Sequence, residues 1–366
     1  MKNKITYTFL SGRKNRIDNE SKPYAKEFFY GFDYFKKIFK NVEIVEFEDQ
    51  KSIFNFIYIV LNKLSNLPFY GNQIVNKKNY RIYNNSENLI FTNQKTAFSA
   101  LPMLLPIKLI KNRKIYVFIM GVFGKKMNYK IKTFFRNLFI RLLIITCDNL
   151  FFLGKGEYEF AKKEFQKYEN KFIFLPFSID SEFWKIKNNN KKTNEVLFIG
   201  NDGMRDYKFL ELLTDRMKNI NFTIVSKHVD DYSFGKNVSL YKGSWDSNLL
   251  DDQFIKDLYL KSSLTLVPLK ETHQPSGQSV TLQSMSCGTP VIITKTSGFW
   301  DLDKFENNEN IFFEDVNNID IWAKRINDIL NDKKLLEAVS KNSIKTIEEN
   351  YSLKLFYENL EKHIFG

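Results

Sequence analysis

Short apolar segments alternate with longer amphipathic segments along most of this 366-residue chain. The apolar segments are 5–10, 42–47, 88–92, 115–119 and 149–153 in the first half, and 195–199, 221–225, 264–267 and 291–294 in the second. Strands that are separated by helices pair in parallel, because a parallel connection needs a crossover of a dozen or more residues. The pattern therefore predicts an α/β protein whose parallel sheets are covered by helices on both faces.

The amphipathic segments predict the helices. They are 23–39, 53–64, 96–105, 130–144 and 157–168 in the first half, and 206–217, 254–261, 279–287, 319–330, 334–350 and 353–365 in the second. Pro23 suits the first turn of a helix, and Phe28, Phe32, Phe35 and Phe39 follow at helical spacing. One continuous helix is therefore predicted over 23–39.

A polar segment of low complexity divides the chain. Residues 187–193 contain only Lys, Asn and Thr, and the pattern of strands and helices starts again after them. Such a composition is typical of a linker between domains. We predict a first domain at 1–180, a second domain at 181–350, and a last helix at 351–366 that packs back on the first domain.

The basic surplus of the chain lies in its first half. Residues 1–180 hold 31 basic and 15 acidic residues, a net charge of +16, whereas residues 181–366 have a net charge of −3. The segment 88–147 contains eleven basic residues and no acidic one. This distribution favours an anionic partner, either a lipid surface or a polyanion, and the alternative is a chance drift of a lysine-rich composition.

Cysteine and histidine are too sparse to suggest a structural framework. Two cysteines, Cys147 and Cys287, and three scattered histidines give neither a disulfide pattern nor metal-ligand spacing. The apolar run at the amino terminus is too short for a signal peptide, and no run approaches the roughly 20 apolar residues that span a bilayer. The sequence therefore predicts a cytoplasmic protein that is not integral to the membrane.

A polar turn leads into a short helix within residues 274–294. The turn is 276–279, the helix is predicted over 279–287, and Gly288 follows where a left-handed residue is favoured. The first amide groups of a helix have no partner within it, and its dipole is positive at that end. The segment therefore predicts a phosphate site.

From residue 274 this segment reads Gln-Pro-Ser-Gly-Gln-Ser-Val-Thr-Leu-Gln-Ser-Met-Ser-Cys-Gly-Thr-Pro-Val-Ile. It resembles the donor-nucleotide segment of GT-B glycosyltransferases, especially the retaining family 4 (group 1) type. The resemblance implies a GT-B fold, which is two doubly wound, Rossmann-like domains that face each other across a cleft. It also implies that a sugar is transferred from a nucleotide diphosphate sugar with retention of configuration, and that neither a cofactor nor a metal is required.

The loop after the strand at 195–199 extends the resemblance. Gly200 allows a sharp turn, and Arg205 offers a guanidinium fork to a diphosphate. An arginine and a lysine of this loop bind the donor diphosphate in the family. Because Asn201 stands where that arginine is common, the resemblance assigns the catalytic roles to Arg205 and Lys208. The alternative is a surface arginine beside a turn.

The resemblance implies further contacts to the donor. Gln283 stands where the family has a glutamate that accepts hydrogen bonds from the ribose, and an amide retains one acceptor oxygen. The family's earlier glutamate, which holds the sugar, is replaced by Pro275. The inferred donor-binding residues are Gly200, Tyr241, Gly243, Lys270, His273, Ser276, Gly277, Gln278, Ser279 and Gln283. For Tyr241, the alternative is that it fills the core together with Trp245.

The first domain is expected to hold the acceptor. Gly12 and Arg13 follow the first strand and are inferred to lie at the acceptor, and Asp18 or Glu20 is inferred to contact the acceptor hydroxyl as a catalytic group. The family often has a catalytic histidine after a middle strand, but residues 1–180 contain no histidine. We expect a lipid, lipid-linked or cell-envelope glycan as the acceptor, at the cytoplasmic face of the inner membrane.

Residues 126–141 combine basic and apolar side chains at helical spacing. The apolar stripe is Tyr129, Ile131, Phe134, Phe135, Leu138, Phe139 and Leu142, with Lys130, Lys132, Arg136 and Arg141 mainly at its sides. The pattern is typical of a helix that lies on an anionic membrane surface. The alternative is a helix that covers the sheet and packs its stripe inward.

Two other functions are weighed against glycosyl transfer. A sugar-nucleotide epimerase has the same fold and would turn over the donor without an acceptor, but it needs acid–base groups where this chain has no histidine. A nucleic-acid-binding protein would use the basic half, but the sequence has no helix-turn-helix, zinc-finger or RNA-recognition signature. We therefore expect no nucleic-acid partner.

Overall fold

The computed structural model describes residues 4–18, 23–48, 55–123, 129–186, 192–243 and 250–366. The chain divides into two compact units. The first unit comprises Met1–Lys22 and Phe28–Leu175, and the second comprises Pro23–Glu27 and Pro176–Gly366. A short segment from near the amino terminus is therefore part of the second unit.

The first unit contains a six-stranded parallel sheet. Its strands are β1 (Ile5–Phe9), β2 (Val42–Glu46), β3 (Asn88–Phe91), β4 (Lys114–Ile119), β5 (Asn149–Phe152) and β6 (Phe172–Phe174). Their order in the sheet is β2-β1-β3-β4-β5-β6. The direction of winding reverses between β1 and β3, which is the switch point of a doubly wound sheet.

The helices of the first unit cover this sheet. They are α1 (Arg13–Asp18), α2 (Phe32–Ile38), α3 (Asn55–Ser65), α4 (Lys77–Asn84), α5 (Gln94–Lys111), α6 (Lys130–Thr146) and α7 (Lys155–Glu164). Helix α5 is longer than the predicted 96–105 and continues through Pro102 and Pro106. A proline normally ends a helix because it removes a backbone donor. Here half of the residues of α5 are buried in the core of the unit, and that burial offsets the lost bonds.

The single helix predicted over 23–39 is wrong. The chain forms a 3-10 turn at Glu27–Phe29, and α2 begins only at Phe32. Gly31 separates the two with a φ of +85°, a left-handed conformation that interrupts a helix. The apolar spacing is real, because Phe32 and Phe35 are buried, but it does not require one continuous helix.

The second unit contains another six-stranded parallel sheet. Its strands are β7 (Glu195–Ile199), β8 (Asn221–Val225), β9 (Val238–Tyr241), β10 (Leu264–Val267), β11 (Val291–Thr294) and β12 (Phe312–Glu314). The order is β12-β11-β10-β7-β8-β9. The switch point of this sheet lies between β7 and β10.

Seven helices are described in the second unit. They are α8 (Ser181–Trp184), α9 (Tyr207–Arg216), α10 (Asp252–Lys261), α11 (Gln278–Ser286), α12 (Ile319–Asn331), α13 (Lys333–Asn350) and α14 (Leu353–Phe365). Helix α14 is part of the second unit. The strands predicted at the two switch points are confirmed, whereas the helices α1, α4 and α8 and the three-residue strands β6 and β12 were not predicted. In the parts of the chain that the structure describes, no helix is both long and apolar enough to cross a membrane.

Candidate functional site

Two loops meet at the carboxyl edge of the second sheet. One connects β7 to α9 and the other connects β10 to α11, so they leave neighbouring strands at the switch point. Backbone hydrogen bonds join the loops, from Asp206 N to Pro268 O (3.0 Å) and from Lys270 N to Met204 O (2.9 Å). Ligands of doubly wound sheets bind at this position, and the loops therefore define the candidate site.

Arg205 is the most informative residue of the site. Its side chain is 3% exposed, yet its Nε and Nη1 atoms have no hydrogen-bond partner. The carboxylate of Asp202 lies 3.6 Å from Nη1, close enough for an ion pair but not for a hydrogen bond. A buried donor without a partner costs about 1–3 kcal/mol, and more when it is charged. A guanidinium kept in this state indicates a site that an anionic ligand completes.

Two glycines leave room for this guanidinium. A Cβ atom at Gly200 would lie 2.5 Å from Arg205 Nε, and one at Gly277 would lie 3.0 Å from Arg205 Nη1 and 2.7 Å from Val267 Cγ1. Gly277 also has a φ of +79°, which side chains rarely adopt. The absence of side chains at both positions therefore shapes the site around Arg205.

Helix α11 begins at this same point. Gly277 is its N-cap residue, and no side chain caps the helix. The hydroxyl groups of Ser276 and Thr281 are buried without partners. Gln278 is also buried, whereas Ser279 is partly exposed. The start of the helix thus combines backbone amides, the positive end of a dipole and two unpaired hydroxyl groups, all of which favour an anion.

The two predicted lysines are placed differently from Arg205. Lys208 is exposed on α9 and forms an ion pair with Glu211 one turn further along. Lys270 is exposed as well, and its backbone amide joins the two loops. Arg205 is therefore the cation that the fold fixes at the start of α11, whereas Lys208 and Lys270 are solvent-exposed side chains.

A polar array lies after β10 and β11. Glu271 and His273 follow β10, and Ser297 follows β11; the Ser297 hydroxyl donates to Glu271 and lies 3.0 Å from His273 Nδ1. A Cβ atom at Gly298 would overlap the backbone of residues 272–274, so this glycine allows the two loops to approach closely. The array places His273, an inferred donor contact, among groups that can exchange hydrogen bonds with sugar hydroxyls.

The predicted base contacts lie at the end of β9. Tyr241 is 38% exposed and its ring meets that of Phe254 edge-on at 5.2 Å, so it does not fill the core. The Asn201 amide donates to the carbonyl of Gly243 at 3.3 Å, which ties this strand end to the loop after β7. Trp245 lies outside the described residues.

Gln283 is engaged at both ends of its amide. Its Nε2 donates to Glu27 Oε1 at 2.8 Å, and its Oε1 accepts from the Tyr259 hydroxyl at 3.3 Å. Glu27 is buried and also accepts from Trp184 Nε1 at 2.9 Å. The pKa of Glu27 is raised to about 7, mainly by burial and to a smaller extent by the nearby Asp252 carboxylate, although the hydrogen bond from Gln283 lowers it. The amide inferred to bind the ribose is thus part of an internal network.

Some residues of the site could not be recognised from the sequence. Glu27 lies 256 positions from Gln283, within a segment that the pattern assigned to a long helix. Ser297 and Gly298 stand in a loop without a motif. Local spacing identifies residues that follow one strand, but it cannot show which distant segment packs beside them.

The acceptor residues inferred in the first unit lie at the carboxyl end of β1. Gly12 has a φ of +88° with open space around the position of a Cβ atom. The backbone amide of Arg13 donates to Glu46 at the end of β2. Asp18 is exposed at the end of α1, and Glu20 lies outside the described residues.

A cavity of about 310 Å³ opens at the same sheet edge, after β3 and β4. Asn62, Tyr70, Gln94 and Arg136 contribute to its lining. Arg136 was predicted at the side of an exposed stripe, but it is buried and donates to the backbone carbonyls of Asn66 and Val122. The cavity has the size of a small-molecule site, and its wall contains neutral polar groups together with the Arg136 guanidinium.

Helix α6 is only partly covered. Its exposed face consists of Ile131, Phe134, Leu138 and Ile145, with exposed fractions between 41% and 69%. Phe135, Phe139 and Leu142 are half-buried, and Ile140, Leu143 and Ile144 are buried. The neighbouring helix α3 adds Phe56 and Ile57, which are 72% and 51% exposed. The stripe therefore splits into a packed side and an open side; residues 126–128 lie outside the described part of the chain.

Comparison with known families fits this geometry. Residues 180–346 match the family model of glycosyl transferases group 1. The match contains both loops of the candidate site, including Arg205 and the start of α11. With its two parallel six-stranded sheets, the protein has the GT-B fold of glycosyltransferases, and its second unit is similar to group 1 over the matched residues.

One curated glycosyltransferase and several solved structures are similar to this chain. The chain is 28% identical over 90 residues to the capsular polysaccharide biosynthesis glycosyltransferase CapM of Staphylococcus aureus, which is 25% of this chain and 23% of that protein. Sucrose-phosphate synthase of Thermosynechococcus elongatus superposes with a TM-score of 0.70 at 12% identity, over 98% of both chains. The HepE protein of Anabaena, in complex with UDP and glucose, superposes with a TM-score of 0.68 at 12% identity, over 99% of both chains. The structural relatives share the fold.

Proposed function

We propose that this protein is a glycosyltransferase that uses a nucleotide diphosphate sugar as its donor. One observation carries the proposal: a buried guanidinium without hydrogen-bond partners on Nε and Nη1 stands at the switch point, beside the uncapped start of α11. A diphosphate is the ligand that would satisfy Arg205, the Ser276 hydroxyl and the helix amides together.

The same groups supply the chemistry. When the bond between sugar and nucleotide breaks, negative charge develops on the leaving diphosphate. Donors that are already fixed around that charge stabilise the transition state without reorganisation. Arg205 is fixed by burial and by the two glycines, so it suits this role. We propose a reaction with retention of configuration and without a metal ion.

Uridine diphosphate is the first donor nucleotide to test. The HepE structure contains UDP and glucose, and it spans the full length of this chain. On our proposal, UDP, GDP and ADP at 1 mM with EDTA present give unequal thermal shifts, and one of them raises the Tm by several degrees because it binds only the folded state. Differential scanning fluorimetry measures the shifts. Equal shifts with all three nucleotides, or none, would count against a nucleotide site.

We propose a lipid-linked or cell-envelope glycan as the acceptor, at the cytoplasmic face of the inner membrane. The exposed face of α6 supports this proposal, as does the segment 88–147, which has basic but no acidic residues. Apolar side chains can enter the boundary between headgroups and acyl chains while Lys and Arg meet anionic phosphates. The relative CapM is named for capsular polysaccharide biosynthesis, which agrees with a glycan acceptor.

Substitution of the exposed face should separate membrane binding from folding. Ile131→Ser with Phe134→Ser is expected to lower binding to vesicles that contain 30 mol% anionic lipid by at least tenfold, because two side chains exposed by 69% and 66% leave the interface. The matched control is Val316→Ser with Ile321→Ser, which are exposed by 58% and 48% on the second unit. Co-sedimentation measures both. Equal binding of both variants and the native chain, or no preference for anionic vesicles, would contradict the membrane proposal.

A further inference from the structure

A buried carboxylate that the proposed reaction does not use lies against α11. Glu27 is 1% exposed. Its Oε1 accepts from Gln283 Nε2 at 2.8 Å and from Trp184 Nε1 at 2.9 Å, and its Oε2 accepts from the backbone amide of Asp180 at 3.3 Å. Three donors of the second unit therefore converge on one side chain, two of them from α8 and its N-cap and one from α11.

The pairing explains why residue 283 is a glutamine. Two carboxylates 2.8 Å apart cannot both be ionised, because the repulsion between like charges raises one pKa strongly. With Glu27 in this position, the amide of Gln283 donates to the buried carboxylate, whereas an ionised acid at position 283 would remove this donor and place a second negative charge beside it. The Tyr259 hydroxyl fixes the other end of the amide, which determines its orientation.

Other charged groups surround the pair. Asp252 on α10 accepts from the backbone amide of Ala25, two residues before Glu27. Asp180 caps α8 and also accepts from the backbone amide of Lys26. Lys256 on α10 is buried and donates to a backbone carbonyl of α8. The segment that carries Glu27 is thus held by two further acids, and Gln283 is its link to α11.

We propose that Glu27 is a positioning residue for the diphosphate site: as a carboxylate it holds the Gln283 amide, and through it the first turns of α11, in the geometry that binds the nucleotide. The inference rests on the proposed function. Gln283 lies on the second turn of the helix whose first residues meet the diphosphate. A charge-assisted hydrogen bond restrains that turn more strongly than a neutral one.

The pH dependence provides the test. Folding raises the pKa of Glu27 from 4.5 to about 7. Between these two pH values, the folded chain therefore still holds a proton that the unfolded chain has released. The contribution of this group to the folding equilibrium constant therefore falls by about two orders of magnitude as the pH rises from 4.5 to beyond 7. Nucleotide binding should change in the opposite direction, because the carboxylate form restrains Gln283 best.

Glu27→Gln is a neutral mimic of the protonated acid. Binding is measured by isothermal titration at pH 5.5 and 8.5 with the nucleoside diphosphate that gives the largest thermal shift. Relative to the native chain, the variant is expected to bind five- to twentyfold more weakly at pH 8.5 and less than twofold more weakly at pH 5.5. The titration of the nucleotide phosphate affects both proteins equally and cancels in the ratio. Over the same interval the Tm of the variant should rise relative to the native chain. Glu195→Gln, at the opposite end of β7, is the control and should leave Kd unchanged at both pH values.

Exchange of the two side chains tests the pairing itself. Gln283→Glu alone places two acids together and is expected to lower the Tm and weaken binding at pH 8.5. The double variant Glu27→Gln with Gln283→Glu restores one acid and one amide, and it should recover at least half of both losses. If the pair were purely structural, the double variant would recover the Tm, but the ratio of the Kd of Glu27→Gln to that of the native chain would be the same at both pH values.

The outcomes separate this inference from the proposed function. If the native chain binds none of the nucleotides, the proposed function fails. If the native chain binds one and Glu27→Gln binds it equally well at pH 8.5, the positioning role is wrong and the proposed function stands. A pH-independent loss in Glu27→Gln would equally overturn the role of the charged form.

Discussion

Replacement of Arg205 by methionine is expected to lower kcat/KM about 10²- to 10³-fold while the Tm stays unchanged or rises. The loss in turnover follows from removal of a fixed donor to the developing charge, which is typically worth about 3–4 kcal/mol. The gain in stability follows from burial, because an apolar side chain replaces a guanidinium that is 3% exposed and lacks partners on two nitrogens. Methionine is unbranched and adapts to irregular space, so it suits the position.

A fall in kcat/KM without a fall in Tm distinguishes a ligand-binding arginine from a structural one. An arginine that stabilises the fold would lose Tm when it is replaced, whereas one that waits for a ligand would not. Arg216→Met is the matched control, because Arg216 lies on the exposed surface of α9 in an ion pair with Asp320 and should change neither quantity by much. Steady-state kinetics and thermal denaturation measure both variants. A large fall in Tm with unchanged kinetics for Arg205→Met would remove the residue from the site.

The second large effect is expected for Gly277→Ala. The left-handed φ of +79° costs an alanine about 1 kcal/mol, and a Cβ atom 2.7 Å from Val267 Cγ1 adds about 1–3 kcal/mol of overpacking. We therefore expect the free energy of unfolding to fall by about 2–4 kcal/mol. The same Cβ atom would lie 3.0 Å from Arg205 Nη1, so nucleotide affinity should fall more than tenfold in the protein that remains folded.

Gly203→Ala is the control within the same pair of loops. A Cβ atom there meets nothing within 4 Å, so its effect on stability should stay within about 0.5 kcal/mol. Urea denaturation gives the stabilities and isothermal titration the affinities. If Gly277→Ala behaved like Gly203→Ala in both measurements, the close contact between the start of α11 and Arg205 would be wrong.

The strands that define the site could be predicted from the sequence. Those that flank the switch point, 195–199 and 264–267, are short, apolar and followed by Gly or Pro, and this is sufficient to place their carboxyl ends at one edge of a parallel sheet. The prediction that residues 276–279 bind a phosphate follows from helix physics alone and stays a prediction. These features are local, since each depends on residues within one turn or one strand.

The part of the site that could not be predicted from the sequence depends on contacts between distant segments. The pattern over 23–39 predicted one helix, and this concealed that Pro23–Glu27 belongs to the second unit. The sequence pattern therefore does not predict that Glu27 is the partner of Gln283. The sequence offers both Arg205 and Lys208 as candidates, but only the structure shows that Arg205 is buried and that Lys208 pairs with Glu211 at the surface.

Helix α6 shows a similar limit. Periodicity identified an apolar stripe but could not determine which side of it packs. The structure buries Ile140 and Leu143 and leaves Phe134 and Leu138 exposed. The apolar stripe is wider than one helix face, so it contains both the buried and the exposed side chains. The neighbouring helices determine which side chains are buried.

In the proposed function, the donor diphosphate lies between Arg205 and the start of α11. A crystal structure with the nucleoside diphosphate that gives the largest thermal shift tests this directly. We expect phosphate oxygens within about 3 Å of Arg205 Nε or Nη1 and of backbone amides at the start of α11. A nucleotide bound elsewhere, with the Arg205 guanidinium still without a ligand, would contradict the proposed diphosphate site.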